Sequence, residues 1–170
     1  MTFLKILGLL KEYSVKPKVK ASRMLRRPTL LHNYTIRYFD GVAQKGFSGG
    51  GFYIIIFDSH YFHGWIGCGL GSNKKVELLA LWSLLLFVDR KGFLHLQILG
   101  DSKIIVDWAG GKASLKVCGL ECWCRKVHSL YAQFSVVAIE HVYMELNGVT
   151  SYLFITFLLI SHVSWKTIAG

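Results

Sequence analysis

Acidic residues are scarce in this chain of 170 residues: 10 Asp and Glu stand against 20 Lys and Arg, a formal net charge of +10. That balance favours nucleic acid or an anionic membrane surface as partner, with improved solubility as the plainer alternative. Cysteine is sparse as well. Cys68, Cys118, Cys122 and Cys124 do not make a disulfide framework in a chain of this length. They fit free thiols in a reducing, intracellular compartment, nucleus or cytoplasm rather than an organelle. No Cys-x-x-Cys pair occurs. Cys118 and Cys122, and Cys124 and His128, are four apart on a predicted helix, but zinc is the weaker reading without that pair. No apolar run reaches the roughly 20 residues that a membrane span needs. Ile6 to Leu10 is too short for a signal peptide. No integral membrane segment is therefore expected.

What is present is strongly apolar. Hydrophobic residues make up 52% of the chain, and the mean hydropathy is +0.39. One domain with a sizeable core follows from the length. Residues 1–33 stand apart. They carry Lys5, Lys11, Lys16, Lys18, Lys20, Arg23, Arg26 and Arg27 against the single acid Glu12. A basic arm that touches phosphates and a solvated linker are equally compatible with this pattern.

From Tyr34 the chain becomes strand-like. Tyr34 to Asp40, Phe52 to Phe57 and Tyr61 to Cys68 predict three strands, with a turn over Gly46 to Gly51. Ser72 suits the N-cap of a helix running to about Arg90 and ending before Gly92. Its part from Leu81 to Val88 is apolar nearly all round and should be buried. A fourth strand is expected over Leu94 to Leu99. A short helix follows from Asp101-Ser102 to Trp108, then a helix over Val117 to Tyr131 and a fifth strand over Phe134 to His141. Three strands in succession suggest an antiparallel meander, and helical crossovers suggest parallel pairing. The expected fold class is α/β: a mixed five-stranded sheet flanked by helices. Trp82, Trp108 and Trp123 are expected in the core.

Three acids occupy distinctive settings. Asp40 follows an apolar run in Tyr38-Phe39-Asp40-Gly41. Asp101 follows another in Gly100-Asp101-Ser102-Lys103. Glu77 lies five residues past Ser72, near the start of a long helix. Carboxylates gathered at strand ends repel one another unless a cation is present. Hard divalent ions such as Mg²⁺ take such oxygen ligands. The site suits phosphoryl transfer, although each acid alone could be a cap or turn residue.

These settings, with Tyr38 to Gln44, Gly67 to Trp82, Leu96 to Gly111 and His141 to Leu153 in order, resemble the ribonuclease H family. The similarity is greatest to the ribonuclease H-like domain of plant retroelement origin. The resemblance implies a ribonuclease H-like domain over 34–160, a C-terminal tail over 161–170, and cleavage of the RNA strand of RNA–DNA hybrids by two Mg²⁺ ions, with Mn²⁺ as substitute. It implies Asp40, Glu77 and Asp101 as catalytic metal ligands, with Asp40 bridging both ions. Gly41, Ser72, Asn73, Ser102 and Lys103 become nucleic-acid contacts, although Ser72 and Ser102 serve equally as simple helix caps. His141 is more readily structural than a general base. The family's fourth acid follows an Arg-x-x-Asn-x-x-Ala-Asp pattern. Here Met144 replaces the Arg, Asn147 keeps the register, and Thr150-Ser151 replaces Ala-Asp. A hydroxyl is a weaker ligand for a hard cation, so Ser151 marks a degenerate fourth position. The apolar run from Tyr152 to Ile160 departs from the amphipathic helix the family places there.

Two readings follow: a hybrid-cleaving endonuclease, and a nucleic-acid-binding relic with the fold but little catalysis. A membrane-associated basic protein rests only on the two termini. A monomer is expected. Binding of RNA–DNA hybrid should weaken steeply with salt. Deleting residues 1–27 should flatten the log–log salt slope by about 0.9 for each phosphate contact the arm makes. An unchanged slope in a salt titration of affinity would identify the segment as an inert linker.

Overall fold

The computed structural model describes residues 28–31, 34–44, 47–57, 60–116 and 118–147. Of the expected basic arm or linker over 1–33 only residues 28–31 are described; the final helix, the tail and Ser151 lie outside these residues. Five strands form one sheet in the order β3-β2-β1-β4-β5. β1 (Thr35–Gln44), β2 (Phe47–Phe57) and β3 (His60–Gly67) make an antiparallel meander. β4 (His95–Gly100) and β5 (Val136–His141) extend it in parallel, with β4 beside β1. The helices are α1 (Asn73–Arg90), α2 (Lys103–Ala109) and α3 (Glu121–Tyr131), followed by a 3₁₀ turn at Met144–Leu146. This is the mixed sheet expected from the sequence.

α1 forms the spine of the core. Ser72 caps it with extended backbone, and its hydroxyl accepts from the Lys75 N–H at 3.4 Å. Leu78, Leu81, Leu84, Leu85 and Val88 are all fully buried in one cluster with Phe39, Ile54, Leu96 and Ile98. α1 is thus enclosed over most of its circumference, as its run of apolar residues demands. Trp82 of α1 meets Trp123 of α3 edge-to-face at 5.2 Å, and Trp108 is buried. These aromatic rings pack the core.

Two expected elements differ in detail. Gly46 to Gly51 was expected as a turn, yet Gly49, Gly50 and Gly51 pair with Val42, Gly41 and Asp40 inside β2. The reason is space. A Cβ on Gly50 would lie 2.7 Å from the Ala80 Cβ, and one on Gly41 would lie 2.6 Å from the Glu77 backbone nitrogen. α1 descends onto a strip of sheet that has no side chains. The third helix begins at Glu121 rather than near Val117, because Gly119 takes φ +82°, a left-handed conformation that does not belong inside a helix.

Residues before β1 are tied to the sheet. The Leu31 N–H donates to Gln97 Oε1 at 2.9 Å, and Gln97 Nε2 donates to the Thr29 carbonyl at 2.6 Å. Gln97 is fully buried, so this amide is satisfied by main chain. Among the described residues, no helix is long and apolar enough to cross a membrane.

Gly50→Val should destabilise the protein by about 1–3 kcal/mol, the range for overpacking a tight contact. The Ala80 and Val76 backbone cannot yield as a flexible side chain could. Chemical denaturation of both proteins measures the difference.

Candidate metal centre

Asp40 does not terminate β1. The strand continues to Gln44 on its β2 side, while pairing with β4 stops at Phe39↔Gly100. Asp40 therefore sits at the fork where β4 leaves β1. Asp101 directly follows β4 at the same fork. Glu77 descends from the first turns of α1, whose main chain touches Gly41. Three separate elements thus deliver one carboxylate each. Their oxygens lie within 4.8 Å of one another, the one such cluster among the described residues.

Burial makes this gathering costly. Asp40 is 4% exposed and Glu77 9%. Burial, together with repulsion from Asp40 and Asp101, pushes the Glu77 carboxyl up to about 9. The Gly41 N–H offsets part of that rise, and it also donates to Asp40 Oδ1 at 2.7 Å. Burial lifts Asp101 too, against opposing hydrogen bonds from its own backbone and Asn147 and the field of His141. Glu77 Oε2 and Asp101 Oδ1 are buried and accept no hydrogen bond. Such oxygens, with no cationic side chain in an ion pair with them among the described residues, fit a hard divalent cation.

The other predicted residues divide. Gly41 is part of the centre through its backbone and through the room it leaves for α1. Ser72 and Asn73 are exposed at the start of α1, a few residues before Glu77 and open to solvent. Ser102 heads α2 without a side-chain cap bond. Lys103 is exposed and pairs with Asp107 of its own helix, which holds the Asp107 carboxyl below its usual range. Ser151 lies outside the described residues.

Two residues do more than the sequence indicated. Asn147 marked only the register of a motif. It is 4% exposed; its Nδ2 donates to the Phe39 carbonyl at 3.0 Å, and it hydrogen-bonds the Asp101 carboxyl. It ties the chain after β5 to the fork that holds two acids. His141 Nε2 lies 3.0 Å from the Asp101 carbonyl. A carbonyl only accepts, so this nitrogen carries the proton. An Asn directly after a short 3₁₀ turn is a weak sequence signal, and the contact across 108 positions is a tertiary fact.

A family model described as "Reverse transcriptase-like" matches residues 38–153. Solved structures share the fold. Ribonuclease H1 from the halophilic archaeon Halobacterium salinarum NRC-1 aligns with TM-score 0.61 and 22% identity over 67% of this chain and 89% of that one. The N-terminal ribonuclease H domain of a Mycobacterium tuberculosis protein gives 0.63 and 22% over 67% and 85%. LC11 ribonuclease H1, solved in complex with an RNA/DNA hybrid, gives 0.63 and 20% over 70% and 92%. No curated protein matches the sequence.

Glu77→Gln should raise the melting temperature of the metal-free protein at pH 8, by about 3 °C for each ~1 kcal/mol of relieved cost. The sign follows from linkage. A carboxyl whose folded value is raised from 4.5 to about 9 loses stability for the fold as pH rises through that window. At pH 4 the variant should therefore gain nothing. Added Mg²⁺ should stabilise the unaltered protein more than the variant. Thermal melts at both pH values with and without Mg²⁺ test all three statements.

Proposed function

The chain belongs to the ribonuclease H family, and on that premise we propose that it binds RNA–DNA hybrids and hydrolyses their RNA strand with divalent metal ions. The observation that carries this reading is the convergence of Asp40, Glu77 and Asp101 from three elements on one buried corner. The charge of such a cluster is offset either by a proton, as the raised Glu77 carboxyl shows, or by a cation that draws ionised carboxylates together. The hybrid in the LC11 ribonuclease H1 complex supports the choice of partner.

In this reading Asp40, at the fork, would hold Mg²⁺ together with Glu77 and Asp101, with Mn²⁺ as substitute. When bound, the ions supply activation of water and stabilise charge on the leaving 3′-oxygen. The protein's own part is placement. Gly41 holds β1 against α1 so that Glu77 reaches Asp40. Asn147 braces the Asp101 carboxyl. Ser72 and Asn73, with the N–H groups at the start of α1, offer donors to phosphates and 2′-hydroxyls. Ser102 and Lys103 lie beside Asp101 and offer the same to the adjoining backbone. The free thiols Cys68, Cys118, Cys122 and Cys124 fit a reducing compartment.

One observation favours the second reading, a binding relic with impaired catalysis. No Asp or Glu follows Glu145 in the sequence, and Ser151 stands where the family places its fourth acid. The site that positions the attacking water is then short of one charged ligand.

Cleavage of a labelled hybrid should be slow, should require Mg²⁺ and should stop with EDTA. Asp40→Asn should abolish it while leaving hybrid affinity within a few-fold. Ser151→Asp should raise the rate by about tenfold or more, equivalent to ~1.4 kcal/mol in the barrier. Adding Asp40→Asn to that variant should remove the gain. Binding of hybrid with no cleavage by either the unaltered protein or Ser151→Asp establishes the relic.

A further inference from the structure

Among the described residues β3 is the terminal strand of the sheet, and it lacks the charged residues and proline that usually protect an edge. Its sequence, His60-Tyr61-Phe62-His63-Gly64-Trp65-Ile66-Gly67, contains no Lys, Arg, Asp, Glu or Pro. An uncharged, aromatic edge of this length is a template for another strand. Tyr61 is 52% exposed and Trp65 60%, and His63 between them is exposed too.

The backbone parity is set. The Cys68 N–H donates to the Ser48 carbonyl of the β2 side. In an antiparallel ladder alternate residues share that direction. Phe62, Gly64 and Ile66 therefore turn their backbone groups to β2, and Tyr61, His63, Trp65 and Gly67 turn theirs outward. The bulge in this pairing falls at Ile55/Phe57, near His60, so the stretch from Tyr61 to Gly67 is regular.

We propose that β3 pairs antiparallel with β3 of a second copy of this chain, about a two-fold axis through His63. That register makes the two strands self-complementary, as a two-fold interface requires. Tyr61 faces Trp65 of the other copy on both sides of the axis, and the two His63 side chains face each other. Outward-turned residues meet only outward-turned residues, giving about six backbone hydrogen bonds. Cross-strand aromatic pairs stabilise such a ladder. Phe62 falls opposite Gly64, so a large side chain meets none on the other face. One strand pair with its rings covers on the order of 1,000 Å² in total, the lower end for a specific interface. The dimer is accordingly a reversible one. It replaces the monomer expected from sequence by a continuous ten-stranded sheet and leaves both acidic centres on separate elements.

Sedimentation of the full chain across a concentration series should show a monomer–dimer equilibrium. His63→Lys places two like charges opposite each other on the axis and should weaken the dimer by roughly tenfold or more, with an unchanged circular dichroism spectrum. His63→Cys should form a 63–63 disulfide on mild oxidation, found by peptide mass mapping, because paired Cα atoms about 5.5 Å apart are within disulfide reach. An unaltered chain that stays monomeric at all concentrations overturns the proposal. So does a dimer that folded His63→Lys leaves intact, or an oxidised His63→Cys protein without the 63–63 link.

Discussion

The close approach of α1 to β1 and β2 is the contact on which the rest of this molecule depends. Gly41 and Gly50 lie side by side across the two strands, and each would drive a Cβ into the α1 main chain or Ala80. Without side chains there, the helix can lie directly on the sheet. That seat fixes Glu77 beside Asp40, and the Gly41 N–H serves both carboxylates. The same seat brings Leu78, Leu81 and Leu85 onto the core. Packing and chemistry are therefore set by one glycine strip.

The acidic corner opposes the stability that this packing provides. Two buried carboxylates and the half-buried Asp101 are held together, and Glu77 rises toward 9 as a result. Hydrogen bonds from Gly41 and Asn147 offset only part of that cost. A site that is unfavourable by itself and favourable with a cation couples metal binding to folding. Arg37, farther down β1, shows the same disregard for local cost. It is fully buried, with Nε and Nη2 unbonded, and its guanidinium lies 4.8 Å from the Phe93 ring centre. Burial lowers it to about 10. No acid forms an ion pair with it among the described residues.

Much of the sheet was legible because its strands are short apolar runs with clear punctuation. Ser72 announced α1, and the structure places its cap there. Leu81 to Val88 announced burial. The glycines misled because the sequence shows only that a Cβ is absent. It does not show whether the absence serves a turn or a helix pressed against a strand. Gly46 to Gly51 suggested the first, and the second holds for Gly50. Asp40 misled in a smaller way. It ends the pairing with β4, while its own strand continues beside β2.

The sequence by itself determined the order of elements, the apolar faces and the three acids that matter, because these follow from local periodicity and from the rarity of Asp and Glu. The tertiary structure alone decided that the three carboxylates meet within 4.8 Å and that Asn147 reaches Phe39 and Asp101. It alone decided that, among the described residues, β3 ends the sheet with an uncharged edge. Residues 40, 77, 101 and 147 are far apart in the chain, and only the parallel placement of β4 beside β1 and the seating of α1 on glycine join them. Spacing along a chain carries no record of which strands become neighbours, and the charge repulsion that defines this centre exists only after they do.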